Sequence, residues 1–141
     1  MSDVIEAVLS ANDAFYRALS LADFNAMQRV WLDSPDAVCV HPGWPTLQGW
    51  PAIRESWQSI FQNQGPLHVW ASEARVRLYG QTAEVTCIEN IDMSNVAGTG
   101  ILHTRATNVY RRAGDEWKML EHHAIPIPGG NVERPERFSP N

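Results

Sequence analysis

Four polar residues of this 141-residue chain are candidates for proton transfer or ligand binding: His41, Glu89, Asn108 and His123. An imidazole titrates near neutral pH and can act as a general base. A carboxyl group can do the same once burial raises its pKa. His41 directly follows the short apolar segment 37–40, so it stands at the end of a predicted strand. These residue types predict general acid–base chemistry, with His41 or Glu89 as the catalytic base.

Glu89 belongs to an alternating segment in which its neighbours on the same face, Ala83, Val85 and Cys87, are apolar. Burying a carboxylate without a partner costs several kcal/mol or raises its pKa until it binds a proton. If this face is the core, Glu89 therefore needs a hydrogen-bonding partner or a function. The alternative is that Glu89 ends its strand in solvent with only its aliphatic stem packed.

Asn108 lies in the middle of a predicted strand, where asparagine is unfavourable by propensity. Its amide needs partners for two donated hydrogens and for one acceptor oxygen, which favours a position beside a pocket. Further along the chain, His122 and His123 are adjacent on another predicted strand. Adjacent side chains on a strand point to opposite faces, so only one of these two histidines can enter a pocket.

The periodicity of the chain predicts how these residues are held. Apolar residues at intervals of three and four predict a helical hairpin over the first 31 residues and a third helix from about Pro51 to Gly65. Alternating residues then predict long strands over 67–78, 82–92, 101–112 and 116–125, with a glycine-containing loop at 95–100. Helices followed by an antiparallel meander predict an α+β domain over residues 1–127. Residues 128–141 are rich in Pro and Gly and predict a flexible tail.

Composition excludes several classes of function. The net charge of −5 leaves no basic surface for nucleic acid or anionic lipid, and no apolar run is long enough to span a membrane. The N-terminal residues lack the basic and apolar regions of a secretory signal, so we expect a cytoplasmic protein. Cys39 and Cys87 each lie in an apolar segment and are expected to be small buried side chains. The sequence has no phosphate-binding loop, hydrolase elbow or zinc-protease motif, and we expect neither a metal nor another cofactor.

Four short motifs in a fixed order resemble the nuclear-transport-factor-2-like (NTF2-like) superfamily, in its SnoaL-like branch. They are VHPGW (40–44), LQG (47–49), SW-x2-IF (56–61) and ATNVY-x6-W-x5-H (106–123). The resemblance covers residues 3–127 and implies a cone-shaped α+β fold, in which a curved antiparallel sheet packs on three N-terminal helices around a pocket. Ketosteroid isomerases, polyketide cyclases, dehydratases and kinase association domains share this fold. The family also implies a homodimer through the outer face of the sheet.

The resemblance assigns roles to several positions. The Trp-x5-His motif selects His123, rather than His122, as the histidine that enters the pocket. His41 occupies a position similar to that of the catalytic carboxylate of ketosteroid isomerases. Tyr16 lies one residue from the position that matches the inward-facing tyrosine of that family, and it is a candidate pocket-lining residue. Kinase association domains have pocket arginines at the positions of Glu89 and Asn108, so their replacement here favours a neutral, hydrogen-bonding ligand.

Tryptophans complete the predicted pocket. Trp44, in a proline-bracketed loop, is the best candidate for a lid, and Trp57 on the third helix is predicted to line the wall. The sequence thus favours a small organic molecule as ligand, with no nucleic acid or membrane as partner. Two functions remain open: a cofactor-independent isomerase, lyase or cyclase, and a non-catalytic dimerisation or association module.

Overall fold

The N-terminal half of the chain supplies the helices that cover the sheet. A computed structural model describes residues 2–94 and 100–127 of the chain. In this range, helix α1 spans Ser2–Leu21, α2 Phe24–Val30 and α3 Trp50–Gln64, with the short strands β1 (Val38–Val40) and β2 (Leu47–Gln48) between α2 and α3. The predicted helical hairpin and third helix are confirmed. The two-residue strand β2 was not predicted, because so short a segment carries no periodicity.

Local chemistry sets the helix boundaries. Ala22 adopts a left-handed conformation with φ 52° and turns the chain between α1 and α2. Asp23 then caps α2, since its carboxylate accepts the N–H of Ala26 at 3.0 Å. At the end of α3, Gly65 adopts φ 72° and donates its N–H to the carbonyl of Phe61 at 3.0 Å.

The C-terminal half forms the sheet that carries most of the polar site. Its long strands are β3 (Val69–Tyr79), β4 (Thr82–Asp92), β5 (Ile101–Ala113) and β6 (Glu116–Pro126), and the order in the six-stranded sheet of the described residues is β2-β1-β6-β5-β4-β3. The predicted α+β class is confirmed. The long strands pair antiparallel as expected, whereas β1 pairs parallel with β6 and makes the sheet mixed.

The inner face of the sheet packs on the helices. Ala83, Val85, Cys87 and Glu89 are all almost fully buried, so the alternating face identified in the sequence is the core face. Both cysteines are buried and free, as expected. The core also contains large side chains from α1, α2, α3 and the strands, among them Phe15, Met27, Ile53, Tyr110 and Met119.

Two predicted segments include residues that the structure does not describe. The predicted tail, residues 128–141, lies outside the described residues, and so does the 95–99 part of the predicted loop. Within the described residues, no helix combines the length and apolar character that a membrane crossing needs.

A β-bulge in β6 changes which of its side chains face the core. Tyr110 of β5 is paired with Met119, but the preceding residue, Val109, is paired with Glu121. Leu120 is therefore an extra residue in β6, and side chains on either side of it no longer follow a single alternation. This irregularity decides which histidine reaches the site.

Candidate functional site

A cavity of about 680 Å³ lies between α3, the loop that follows β1, and the inner face of the sheet. This central cavity has a buried polar group formed by His41, Glu89 and His122, each at most 3% exposed. Exposed polar side chains of α3, such as Asn63, lie at its rim. Most of the remaining wall is apolar or aromatic and includes Leu19, Trp44, Trp57, Ile60, Leu67, Val69, Ile91 and Leu102.

Glu89 is held at the wall of the central cavity by two hydroxyl groups. The Tyr16 hydroxyl donates to Oε2 at 2.7 Å, and the Thr104 hydroxyl donates to Oε1 at 2.6 Å. His122 approaches from the other side, with its Nε2 3.8 Å from Oε2. With 3% of its surface exposed, Glu89 faces the interior rather than solvent. A buried carboxyl group beside a buried imidazole is an arrangement suited to acid–base chemistry.

Asn108 orients His122 from behind. The Asn108 amide nitrogen donates to Asn12 Oδ1 at 2.9 Å and to the Tyr16 hydroxyl at 3.1 Å. Asn12 Oδ1 also accepts the Tyr110 hydroxyl at 2.7 Å, which fixes the direction of this chain of hydrogen bonds. The remaining Asn108 oxygen lies 2.7 Å from His122 Nδ1 and must accept a hydrogen from it. In the neutral ring, the proton therefore resides on Nδ1, and Nε2 presents a lone pair toward Glu89.

His41 is the third polar group of the central cavity, but its ring nitrogens already face protein groups. The Ser56 hydroxyl donates to the Ile53 carbonyl at 2.6 Å, so it can only accept the Nε2–H of His41, at 2.9 Å. The Cys39 sulfur lies 3.6 to 3.8 Å from the two ring nitrogens. The Trp57 ring packs at right angles to this imidazole, with ring centroids 4.6 Å apart. These contacts favour a structural or positioning role for His41.

Burial moves the pKa of each group in the central cavity toward its uncharged form. Desolvation raises the pKa of Glu89, and the hydrogen bonds from Thr104 and Tyr16 oppose this effect without cancelling it. Desolvation lowers the pKa of His122 to about 3, with a smaller contribution from His123. Desolvation, followed by the proximity of His122, lowers the pKa of His41 to about 3. Burial therefore disfavours the charged form of both the Glu89 carboxyl group and the His122 imidazole.

The structure corrects the choice between the two adjacent histidines. His122 is 2% exposed and lines the central cavity, whereas His123 is half-buried on the opposite face and contacts Glu121 at 2.9 Å. The spacing from Trp117 to His123 is even, so a regular strand would turn both to the same face. The extra residue Leu120 shifts this alternation by one and brings His122 inward instead.

The other predicted site residues divide between the cavity wall and the layer behind it. Trp44 and Trp57 line the central cavity, and Trp44 is 42% exposed, as a residue at its mouth can be. Tyr16 and Asn108 were predicted to line the pocket, but they lie behind Glu89 and His122 and act through them. The sequence interpretation missed Thr104, because a threonine in a strand is unremarkable.

Metal binding has no support in the part of the chain that the structure describes. In that part, no group of three or more His, Cys, Asp or Glu side chains is arranged to hold an ion. The expectation of a cofactor-free protein stays a prediction.

Helices packed on one face of a mixed sheet, with a cavity between the two, define the class of small α+β domains to which the sequence resemblance pointed. The family model described as a SnoaL-like domain matches residues 8–128, and the chain belongs to this family. An NTF2-like protein of Streptomyces avermitilis, provisionally assigned as a dehydratase, is 36% identical with a TM-score of 0.82, over 89% of this chain and 97% of that one.

Two further relatives carry other descriptions. A Thiobacillus denitrificans protein, provisionally assigned as a calcium/calmodulin-dependent protein kinase type II association domain, is 30% identical with a TM-score of 0.75. This similarity covers 83% of the present chain and 92% of that protein. The F-box protein SKIP8 of Arabidopsis thaliana is 28% identical over 118 residues, which make up 84% of this chain. The match covers 48% of SKIP8, so the chain corresponds to about half of that relative.

Proposed function

We propose that this chain binds a small, largely uncharged organic molecule in the central cavity and catalyses a cofactor-independent proton transfer of the isomerase or lyase type. One observation carries the proposal. A buried carboxyl group and a buried imidazole, Glu89 and His122, stand 3.8 Å apart at the wall of a cavity that is otherwise mostly apolar.

The two groups suit complementary roles. A raised pKa favours Glu89 as the proton donor, and the Nε2 lone pair of His122, which faces the same gap, is placed to accept a proton. A lyase needs both actions, since one proton leaves a carbon atom and another reaches the departing group. The sequence interpretation made His41 or Glu89 the base. The geometry favours His122 as the base and Glu89 as the acid, with His41 supporting the wall.

The similarity to a provisionally assigned dehydratase supports the lyase alternative, because dehydration is an elimination that needs an acid and a base. The 36% identity extends over almost the whole of both chains. That relative's assignment is an argument by analogy, and the chemistry of the site is the independent argument.

The experiment begins with native mass spectrometry of the purified protein to identify a co-purified ligand. Uncharged hydroxy-carbonyl compounds related to that ligand are then incubated in D₂O, and NMR follows deuterium incorporation or loss of water. We expect Glu89→Gln to reduce turnover by about 100-fold or more, which is the usual contribution of a general acid. The control Glu84→Gln, on the same strand, should keep full activity. Ligand binding without turnover of any related compound would overturn the catalytic proposal.

A non-catalytic association module remains the second candidate function, favoured by the similarity to the Thiobacillus association domain. For either function we propose a homodimer through the outer face of the sheet. Large apolar side chains support this surface, because Trp70, Tyr79 and Ile125 are 36%, 56% and 61% exposed. Light scattering after gel filtration should give twice the monomer mass for the wild type, and Ile125→Glu should shift the mass toward the monomer. A monomeric wild type would reject this interface.

We also propose a cytoplasmic location. Both cysteines are free thiols in the structure, which is typical of proteins kept in a reducing compartment. Cell fractionation with a specific antibody tests this location, and recovery in an exported fraction would contradict it.

A further inference from the structure

The gap between Glu89 and His122 is too wide for a direct hydrogen bond. Oε2 and Nε2 are 3.8 Å apart, whereas protein hydrogen bonds join atoms about 2.7 to 3.2 Å apart. An oxygen atom placed to one side of the line between them could lie about 2.8 Å from both. The gap thus has the width that one bridging oxygen needs.

The polar hydrogens of the residues around this gap already form hydrogen bonds within the protein. The Tyr16 and Thr104 hydroxyls both donate to Glu89, and the Nδ1–H of His122 donates to Asn108. Among the described residues, Nε2 of His122 has no hydrogen-bond partner within normal distance. What the pair offers to the central cavity is therefore one lone pair on His122 and the carboxyl group of Glu89.

We propose that a hydroxyl group of the ligand binds in this gap, so that the molecule bound in the central cavity is an uncharged alcohol with an apolar body. The hydroxyl donates its hydrogen to His122 Nε2 and accepts one from Glu89. The inference rests on the proposed function only in requiring that the central cavity binds a small molecule. It does not require that the molecule reacts.

Other polar groups fit the gap less well. A ketone oxygen can only accept hydrogen bonds, so it would leave the lone pair of His122 without a partner. A carboxylate or phosphate would approach the Glu89 carboxyl group, and the described residues that line the central cavity include no lysine or arginine to offset the charge. An ammonium group carries a charge, and burying that charge in a mostly apolar cavity has a desolvation cost that an uncharged hydroxyl group does not have.

The walls of the central cavity specify the rest of the molecule. The cavity has a volume of about 680 Å³, and its wall includes the indole rings of Trp44 and Trp57 together with Ile91 and Leu102. Apolar walls with a few fixed polar groups are typical of sites in which burial supplies affinity and hydrogen bonds supply orientation. A compact hydrocarbon ring system that carries one hydroxyl group satisfies both parts of the site.

The test compares four probes that share one hydrocarbon body: 2-decalol, 2-decalone, decahydro-2-naphthoate and 2-aminodecalin. Isothermal titration calorimetry measures their affinities for the full wild-type chain. We expect the alcohol to bind at least tenfold more tightly than the ketone, and the carboxylate not to bind measurably. Equal affinity for alcohol and ketone, tighter binding of the amine or the carboxylate, or no binding of any probe would overturn the proposal.

Two variants and one spectroscopic measurement test whether the hydroxyl group binds at His122. His122→Phe removes the acceptor and should abolish the preference for alcohol, whereas Leu102→Ala trims only the wall and should weaken alcohol and ketone equally. If His122→Phe does not fold, the ¹⁵N resonance of His122 Nε2 in the wild type decides the question. It should shift with 2-decalol and stay unchanged with 2-decalone. A tenfold preference for alcohol in a protein that turns over no related compound would support this inference and refute the catalytic proposal.

Discussion

Acid should destabilise this protein through the two buried histidines of the site. In the folded chain, desolvation lowers the pKa of His41 from 6.5 to about 3, and it lowers the pKa of His122 by the same amount. The unfolded chain binds protons at both positions near pH 6.5, whereas the folded chain does not. The resulting stability is fully present above pH 6.5 and is lost progressively as the pH falls toward 3.

The size of the effect follows from the difference in pKa. Each pH unit between the unfolded and folded pKa values changes the free energy of unfolding by about 1.36 kcal/mol per group. Lowering the pH from 8 to 5 should therefore cost about 2 kcal/mol for each histidine and about 4 kcal/mol for both. The total stability of a domain of this size is about 5 to 15 kcal/mol, so the loss is readily measurable.

A comparison of variants isolates one histidine from every other titrating group. Urea unfolding at pH 8 and pH 5 gives the free energy of unfolding of the wild type and of His41→Gln, in which the amide can still donate to Ser56. We expect the acid-induced loss to be about 2 kcal/mol smaller in His41→Gln. The control Ile53→Val removes one buried methyl group and no titrating group, so its stability should fall equally at both values of pH. An equal loss in the wild type and in His41→Gln would show that His41 takes up protons in the folded state, and the reasoning would be wrong.

Three further changes test the hydrogen-bond network and the mouth of the cavity. As the pH rises from 4.5 through the raised pKa of Glu89, the stability of Glu89→Gln should increase relative to that of the wild type, because ionising the buried carboxyl group of the wild type costs folding energy. Urea unfolding measures both stabilities, and a difference between them that does not change with pH would contradict this. Asn108→Leu should cost about 3 kcal/mol or more, because the His122 Nδ1–H loses its acceptor and the oxygens of Asn12 and Tyr16 lose a donor. The control Thr107→Val should cost less than about 1 kcal/mol, and similar melting temperatures for the two variants would refute the network. Trp44→Ala should weaken the binding of an identified ligand about tenfold. The melting temperature should change little, since a half-exposed ring contributes little to the core. An unchanged affinity would show that Trp44 does not contact the ligand.

Much of the fold could be predicted because local signals agree with the tertiary structure. Strand β4, Thr82–Asp92, has the bounds that its alternation predicted, and the hairpin turn before β6 follows from Gly114 and Asp115. The position of Glu89 in an otherwise apolar face was a physical conflict visible in the sequence, and the structure buries Glu89 on that face. The partners that resolve the conflict come from α1 and β5, so no local pattern could identify them.

The sequence pattern selected His123 instead of His122 because it assumed a regular strand β6. A strand pattern states which residues share a face only if the strand is regular, and β6 is not regular. Leu120 is almost fully buried, as expected for an apolar residue in a half-buried strand, so the sequence gives no sign that it forms a bulge. The register with β5 creates the bulge, and that register depends on a pairing between residues such as Asn108 and His122.

The cost of the buried polar network argues against a cavity that is only a remnant in an association module. Asn12, Tyr16, Glu89, Asn108 and His122 are each at most 4% exposed, and apolar side chains of similar volume would pack there without requiring matched donors and acceptors. A cavity without a function would need no such arrangement. Here each hydrogen bond has a direction fixed by the next, and the chain of bonds ends at a lone pair and a carboxyl group that face the central cavity. Dimerisation through the outer face would not require any of these groups. Binding a hydroxyl group or moving a proton would require nearly all of them.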